Sequence, residues 1–210
     1  MVFLAVDTSN DYLTVAVYNN GTVVSTYLPD CAMKHSVTLM TAIDETLDKA
    51  NITLAECDFF TAAVGAGSFT GIRIGISAMK GFALALKKPT VPVTSFEAVA
   101  YNDKVRSIDK KTLCLVDALH DCYYACGYEN GNIVYPPAFL NEAEALALVG
   151  EGYALCSCGQ LPLALKAEVE RVEPVSGLVN AALAKAERGE YGVLEALYVR
   201  KSSAELNLCR

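Results

Sequence analysis

The sequence predicts an α/β protein built from two βββαβα units in tandem. Three observations carry this. The strand and helix patterns of the first half recur in the second in the same order. Each half ends its first strand on an aspartate, Asp7 or Asp117, just before a turn. Between them, the stretch GAGSFTGIRIGISAMKGFALALKKP (65–89) runs from a glycine-rich loop into a long apolar helix, a strand-to-helix turn around which the first unit is organised.

Val2–Val6 is an apolar strand leading to Asp7-Thr8-Ser9-Asn10, and Tyr12–Tyr18 is a second strand. Asn19-Asn20-Gly21 tolerates the positive φ that a tight hairpin needs, and Thr22–Leu28 is the third strand. Ser36 is placed as a helix cap, because Val37, Met40, Ile43, Leu47 and Ala50 follow at helical spacing and Asn51 closes the run. Phe59–Val64 is a buried strand entering the glycine loop. Ser68 or Thr70 caps the next helix and Pro89 stops it. On that helix Ile72, Ile76, Met79, Ala83 and Leu86 form one apolar stripe, and Gly71, Gly75 and Ala78 a second stripe of small residues. A glycine loop opening a helix is one way to cradle phosphate, but neither GK[ST] nor GxGxxG is present, so a packed turn is the favoured reading.

Val91–Val93 and the capping box Thr94-x-x-Glu97 begin a further helix to about Val105. The polar patch from Asn102 to Lys111 marks the junction, giving an N-terminal lobe 1–103 and a C-terminal lobe 104–210, with the last helix free to pack back on the first lobe. The second unit reads as strands Leu113–Asp117 and Cys122–Glu129, the turn Asn130-Gly131, a short strand near Ile133, and a helix after Asn141 with Glu142 and Glu144 in its first turn, where the helix dipole favours acids. Strand Tyr153–Cys158, a short helical piece, strand Val169–Val172 and helix Gly177–Arg188 complete it.

The chain has 210 residues, 53% hydrophobic and 20% charged, enough for a sizeable core and against disorder. A net charge of −7 argues against a broad nucleic-acid face. The densest basic spot is Lys104, Arg106, Lys110 and Lys111. The eight cysteines lack paired CxxC spacing, and Met1 leads directly into a strand. The reducing cytosol is therefore the expected compartment and free buried thiols the expected state, with no zinc. No apolar run long enough to span a bilayer is free of charge or glycine, so no membrane partner is expected.

The glycine-loop stretch also carries a family likeness. GAGSFTGIRIG resembles the GPGSFTGIRIG signature of the TsaB (YeaZ) family, with Ala66 in place of proline. LAVDTSN, KHSVTLM, DALHDCYYA and ALYVRKSSAE are similar in the same order. The resemblance implies the fold shared by actin, sugar kinases and chaperone ATPases (ASKHA, ribonuclease H-like). It also implies a non-catalytic scaffold subunit for threonylcarbamoyl modification of a tRNA adenosine. Its expected partners are a TsaD-like catalytic subunit and a TsaE-like ATPase, which hold metal and ATP, so this chain alone binds no cofactor and meets tRNA only through the complex. Two departures stand out: Leu119 where the family carries arginine, and Val37 where it often carries glutamate.

In ATP-using members of that fold, aspartates at such strand ends work with Mg²⁺ and phosphate. Asp7 and Asp117 are the corresponding candidates for a runner-up reading, a small acetate- or sugar-kinase-like enzyme. Asp7 is followed by Thr-Ser, Asp117 by Ala-Leu, and the nearest adenosine-type turn is Cys158-Gly159-Gln160, so the phosphate and metal groups are incomplete. A third reading is a self-associating factor unconnected with RNA. His35 and His120 lie in different halves and predict no metal site; Ser36 beside His35 is read as a cap, not a nucleophile. The expected partner surface is the pair of helices 36–50 and 70–86, through Val37, Met40, Ile43, Leu47, Gly71, Ile72, Gly75, Ile76, Ala78 and Met79. The same surface is expected to form a homodimer when no partner is present.

Overall fold

The computed structural model describes residues 1–161, 165 and 168–200. Among these residues ten strands form two five-stranded sheets of one topology. In the first, β1 (Val2–Asp7), β2 (Leu13–Asn19) and β3 (Thr22–Leu28) make an antiparallel meander, and β4 (Phe59–Ala63) and β5 (Thr90–Val93) add parallel to β1, in the order β3-β2-β1-β4-β5. In the second, β6 (Lys111–Asp117), β7 (Cys122–Glu129) and β8 (Asn132–Asn141) repeat the meander, with β9 (Tyr153–Ser157) and β10 (Val169–Arg171) parallel to β6. This is the duplicated unit of the ASKHA fold, reached because parallel strands need helical crossovers while antiparallel ones need only tight turns.

Helices α1 (His35–Ala50) and α2 (Phe69–Leu86) cover one face of the first sheet, closing a core of Leu4, Val6, Leu13, Val15 and Phe60 against Leu39, Ile43, Ile72, Ile76 and Met79. The other face of that sheet is covered by α6 (Pro174–Glu187) from the far end of the chain, with Leu178, Val179 and Ala182 on Phe3, Ala5 and Phe59. The short helix α3 (Ser95–Ala100) joins the lobes. Ala98 belongs to the α6 side, while Phe96, Val99 and Ala100 pack on Cys114, Val116, Cys126 and Cys156 of the second sheet. Helix α5 (Glu142–Gly150) covers the remaining face through Ala145 and Leu148. By length and composition α2 could cross a bilayer. Here one side of it lies on the first sheet, which explains its apolar stripe.

Several local expectations shift. Helix α1 starts at His35, and its N-cap Lys34 makes no side-chain cap bond. Ser36 is exposed within the first turn and caps nothing; the helix begins one residue early because buried His35 lodges its Nε2 2.9 Å from the Tyr12 carbonyl. Ser68, and not Thr70, caps α2, accepting from the Gly71 N–H at 3.2 Å, and Lys87 in the left-handed conformation ends the helix before Pro89. The helix expected from Thr94 to Val105 is two pieces, α3 and α4 (Asp103–Arg106), because Asn102 caps a new turn. The capping boxes Thr94/Glu97 and Asn141/Glu144 both form. The strand near Ile133 is ten residues long, running through Pro136 and Pro137 on an edge where a missing N–H is tolerated. The short helical piece expected after β9 falls mostly outside the described residues.

Candidate functional site

The first lobe's turn after β1 is where a metal–nucleotide site would have to lie. Asp7 is fully buried, and both of its oxygens are occupied. Oδ1 accepts from the Ser9 N–H at 2.8 Å and the Ser9 hydroxyl at 2.7 Å; Oδ2 accepts from the Tyr12 hydroxyl at 2.8 Å. Burial pushes this carboxyl above its ordinary value, against the pull of those donors. Asp7 is therefore the knot that ties its own turn. Asp117 plays a reduced version of the part in the second lobe: half-buried, it accepts from the Leu119 N–H at 2.9 Å, and burial again raises its carboxyl. Residues 119–121 all have positive φ, giving a turn with its side chains in solvent. The structure thus assigns Asp7, and in part Asp117, to turn formation.

The glycine loop docks on that same β1 turn. Gly65 and Gly67 have φ of +115° and +144°, open to glycine and strained for other residues. The Ser68 N–H donates to the Ser9 carbonyl at 2.6 Å, and the Ser95 N–H to the Gly65 carbonyl at 2.6 Å. The Ser95 hydroxyl reaches the Ser9 hydroxyl at 2.9 Å. Thr8 donates through Oγ1 to the Gly71 carbonyl at 2.7 Å and accepts from the Gly75 N–H at 3.2 Å. A Cβ at Gly71 would overlap the Thr8 carbonyl oxygen, and one at Gly75 would come 2.6 Å from Thr8 Oγ1. A strap from Glu190 to Arg200 then crosses the loop, with the Leu197 N–H donating to the Val64 carbonyl at 2.7 Å and Tyr198 stacked on Phe69 at 4.6 Å beneath the Arg73 guanidinium. The Ser68 and Gly71 amides and the Val64 and Gly65 carbonyls are thus bonded to protein, and the loop is a junction packed between the β1 turn and the strap.

This corrects the expected partner residues. Ile43, Leu47, Ile72, Ile76 and Met79 are core, 7% exposed or less, facing the first sheet. Gly71 and Gly75 are buried against Thr8, so the stripe of small residues serves close approach to β1 rather than to another helix. Ala78 is half-buried. Val37 and Met40 do lie in solvent, at 77% and 47% exposure, and Leu84 joins them at 83%. Leu84 was passed over because helical periodicity shows which residues share a face, not which face meets the sheet. Ser9, Tyr12 and Ser95 were likewise missed as parts of one network. Only the run Asp7-Thr8-Ser9 hinted at it, as a side chain closing its own turn.

Two clefts open between the lobes. The larger, about 850 Å³, is lined by Tyr12, Tyr27, Val172 and Val175 with Asp11, Asp103 and Glu173 against Lys104 and Arg171. The smaller, about 610 Å³, lies between Tyr101, α4 and the β7–β8 turn. Among the described residues no group of three or more His, Cys, Asp or Glu side chains is arranged to hold a metal ion, and the seven described cysteines are free.

A family model described as "TsaD: tRNA N6-adenosine threonylcarbamoyltransferase" matches residues 27–195. The chain is similar to the "tRNA threonylcarbamoyladenosine biosynthesis protein TsaB" of Bacillus subtilis, 35% identical over 104 residues that cover 50% of this chain and 45% of the relative. It is similar to the Escherichia coli protein of the same name, at 29% over 126 residues covering 60% and 54%. The matched stretch thus spans about half the length of these curated relatives. In fold it is similar to "YeaZ from Pseudomonas aeruginosa", with a TM-score of 0.77 and 24% identity over 94% of this chain and 99% of that one. With the family model covering most of its length, the chain belongs to the family described as TsaD, tRNA N6-adenosine threonylcarbamoyltransferase, and over about half its length it is similar to the TsaB proteins.

Proposed function

We propose that this chain is a non-catalytic subunit in the biosynthesis of threonylcarbamoyladenosine in tRNA, supporting a TsaD-like catalytic partner in the bacterial cytoplasm. The observation that carries the reading is the state of Asp7: the carboxylate a nucleotide enzyme of this fold needs free is buried and holds three internal donors. What remains for the first lobe to offer is its outer surface. Val37, Met40 and Leu84 stand in solvent on the two helices over the first sheet, and exposed apolar side chains are what an interface would use. A TsaE-like ATPase would complete the assembly, ATP and metal would sit on the partners, tRNA would enter through the complex, and the same apolar face would pair two copies of this chain when the partner is absent.

The test is co-purification with the TsaD-like protein of the same host. Val37→Glu combined with Leu84→Glu should abolish both partner capture and self-association while leaving the circular dichroism spectrum unchanged. A folded double variant that still captures its partner and still dimerises refutes this surface. Micromolar binding of Mg-ATP by the isolated chain, lost in Asp7→Asn, refutes the non-catalytic reading.

A further inference from the structure

The densest basic run in the sequence holds Lys104, Arg106, Lys110 and Lys111. The fold places it on a cavity. Arg106 and Lys110 line the smaller interlobe cleft, and Arg188 joins them from the end of α6. Tyr101 and Tyr128 give it an aromatic side, and the Asn130-Gly131 turn, both residues at positive φ, closes one end. Among the described residues Arg106 and Lys110 make no ion pair; the three pairs present are Lys49–Glu45, Lys185–Glu97 and Arg188–Glu190. Arg188 spends two of its donors on Glu190, so the free charge of the cleft is that of Arg106 and Lys110. Asp109 and Glu129 also lie on the lining. The larger cleft offers no such excess, with three carboxylates against two cations.

We propose that the 610 Å³ cleft beside Tyr101 binds a phosphate group, held by Arg106 and Lys110 with Arg188 behind them, and that Tyr101 provides a face for an attached base. Arg106 and Lys110 lie on one cavity and neither is committed to an ion pair, so an anion entering it meets two cationic donors beside the carboxylates of Asp109 and Glu129. Arginine favours phosphate through its planar fork of donors, and lysine adds a point charge. The phosphate could belong to a free nucleotide or to an RNA backbone. The first is independent of the proposed function, whereas the second rests on it.

The probes are inorganic tripolyphosphate and an unmodified tRNA transcript, titrated into the full chain at about 50 mM and about 200 mM salt, where two phosphate contacts predict a log–log slope near 1.4 to 1.8. The charge-reversed pair Arg106→Glu with Lys110→Glu should weaken binding about tenfold or more and flatten the slope. Arg171→Glu, the same change in charge at the larger cleft, should leave it unaltered. Tripolyphosphate binding that tRNA does not displace identifies a nucleotide site; mutual displacement identifies an RNA contact. No binding of either probe at low salt, or binding that the charge-reversed pair leaves intact, overturns the proposal. The pair should still capture the TsaD-like partner, so failure of the phosphate site is separable from failure of the proposed function.

Discussion

Two glycines in α2 should respond to the same substitution with opposite signs. At Gly75 an alanine Cβ comes 2.6 Å from Thr8 Oγ1 and 3.4 Å from Val6 Cγ2, whereas at Gly81 nothing lies within 4 Å. Glycine to alanine in a helix interior gains about 0.8–1 kcal/mol of propensity. At Gly75 that gain is opposed by overpacking, about 1–3 kcal/mol, and by the loss of the Thr8 bonds to Gly71 and Gly75, about 1 kcal/mol each. Gly75→Ala should thus destabilise by about 2–4 kcal/mol. Gly81→Ala should stabilise by at most about 1 kcal/mol. Urea denaturation of both variants measures this, and a cycle with Thr8→Ala assigns the cause. Once Oγ1 is absent, alanine at Gly75 meets only ordinary van der Waals contacts, and its cost should vanish. Equal effects at the two glycines, or a cost that survives in the Thr8→Ala background, would refute the argument that this helix is narrow to admit β1.

Three further outcomes are expected. Because burial raises the Asp7 carboxyl, its contribution to stability is fully present below the ordinary value of 3.8 and is lost as pH rises through the higher folded value; wild type should therefore lose ground to Asp7→Asn as pH climbs from about 3.8 toward neutrality in urea melts across that range. Thiol labelling of the native chain should be slow at Cys126 and Cys156, whose thiols burial pushes up to about 11 and about 12, and faster at half-buried Cys122; uniform rates before and after denaturation would contradict this. Lys185, largely buried, bonds Glu97 at 2.7 Å and the Pro92 carbonyl at 2.9 Å, so Lys185→Met should cost about 3 kcal/mol by leaving the Glu97 charge with only the Thr94 donors of its capping box, read by thermal melting against Lys49→Met, which should change little.

The sequence by itself determined the duplicated α/β order, because strand and helix periods are local and the turns at Asn20-Gly21 and Asn130-Gly131 announce themselves chemically. It also determined the capping box at Thr94 and the family, since a short contiguous signature survives without reference to what surrounds it, while the cap of α2 stayed open between Ser68 and Thr70 until the structure chose Ser68. Tertiary structure alone decided which side of each helix is the inside. The stripe Ile72, Ile76, Met79 and the small residues Gly71 and Gly75 are equally good as a core face and as an interface until β1 is laid against them. It likewise decided that Asp7 closes a network reaching Ser95, and that Arg188 meets Arg106 on one cavity. Periodicity is a property of one element, but burial, and therefore the availability of a carboxylate or a leucine for function, depends on contacts between residues far apart in the chain.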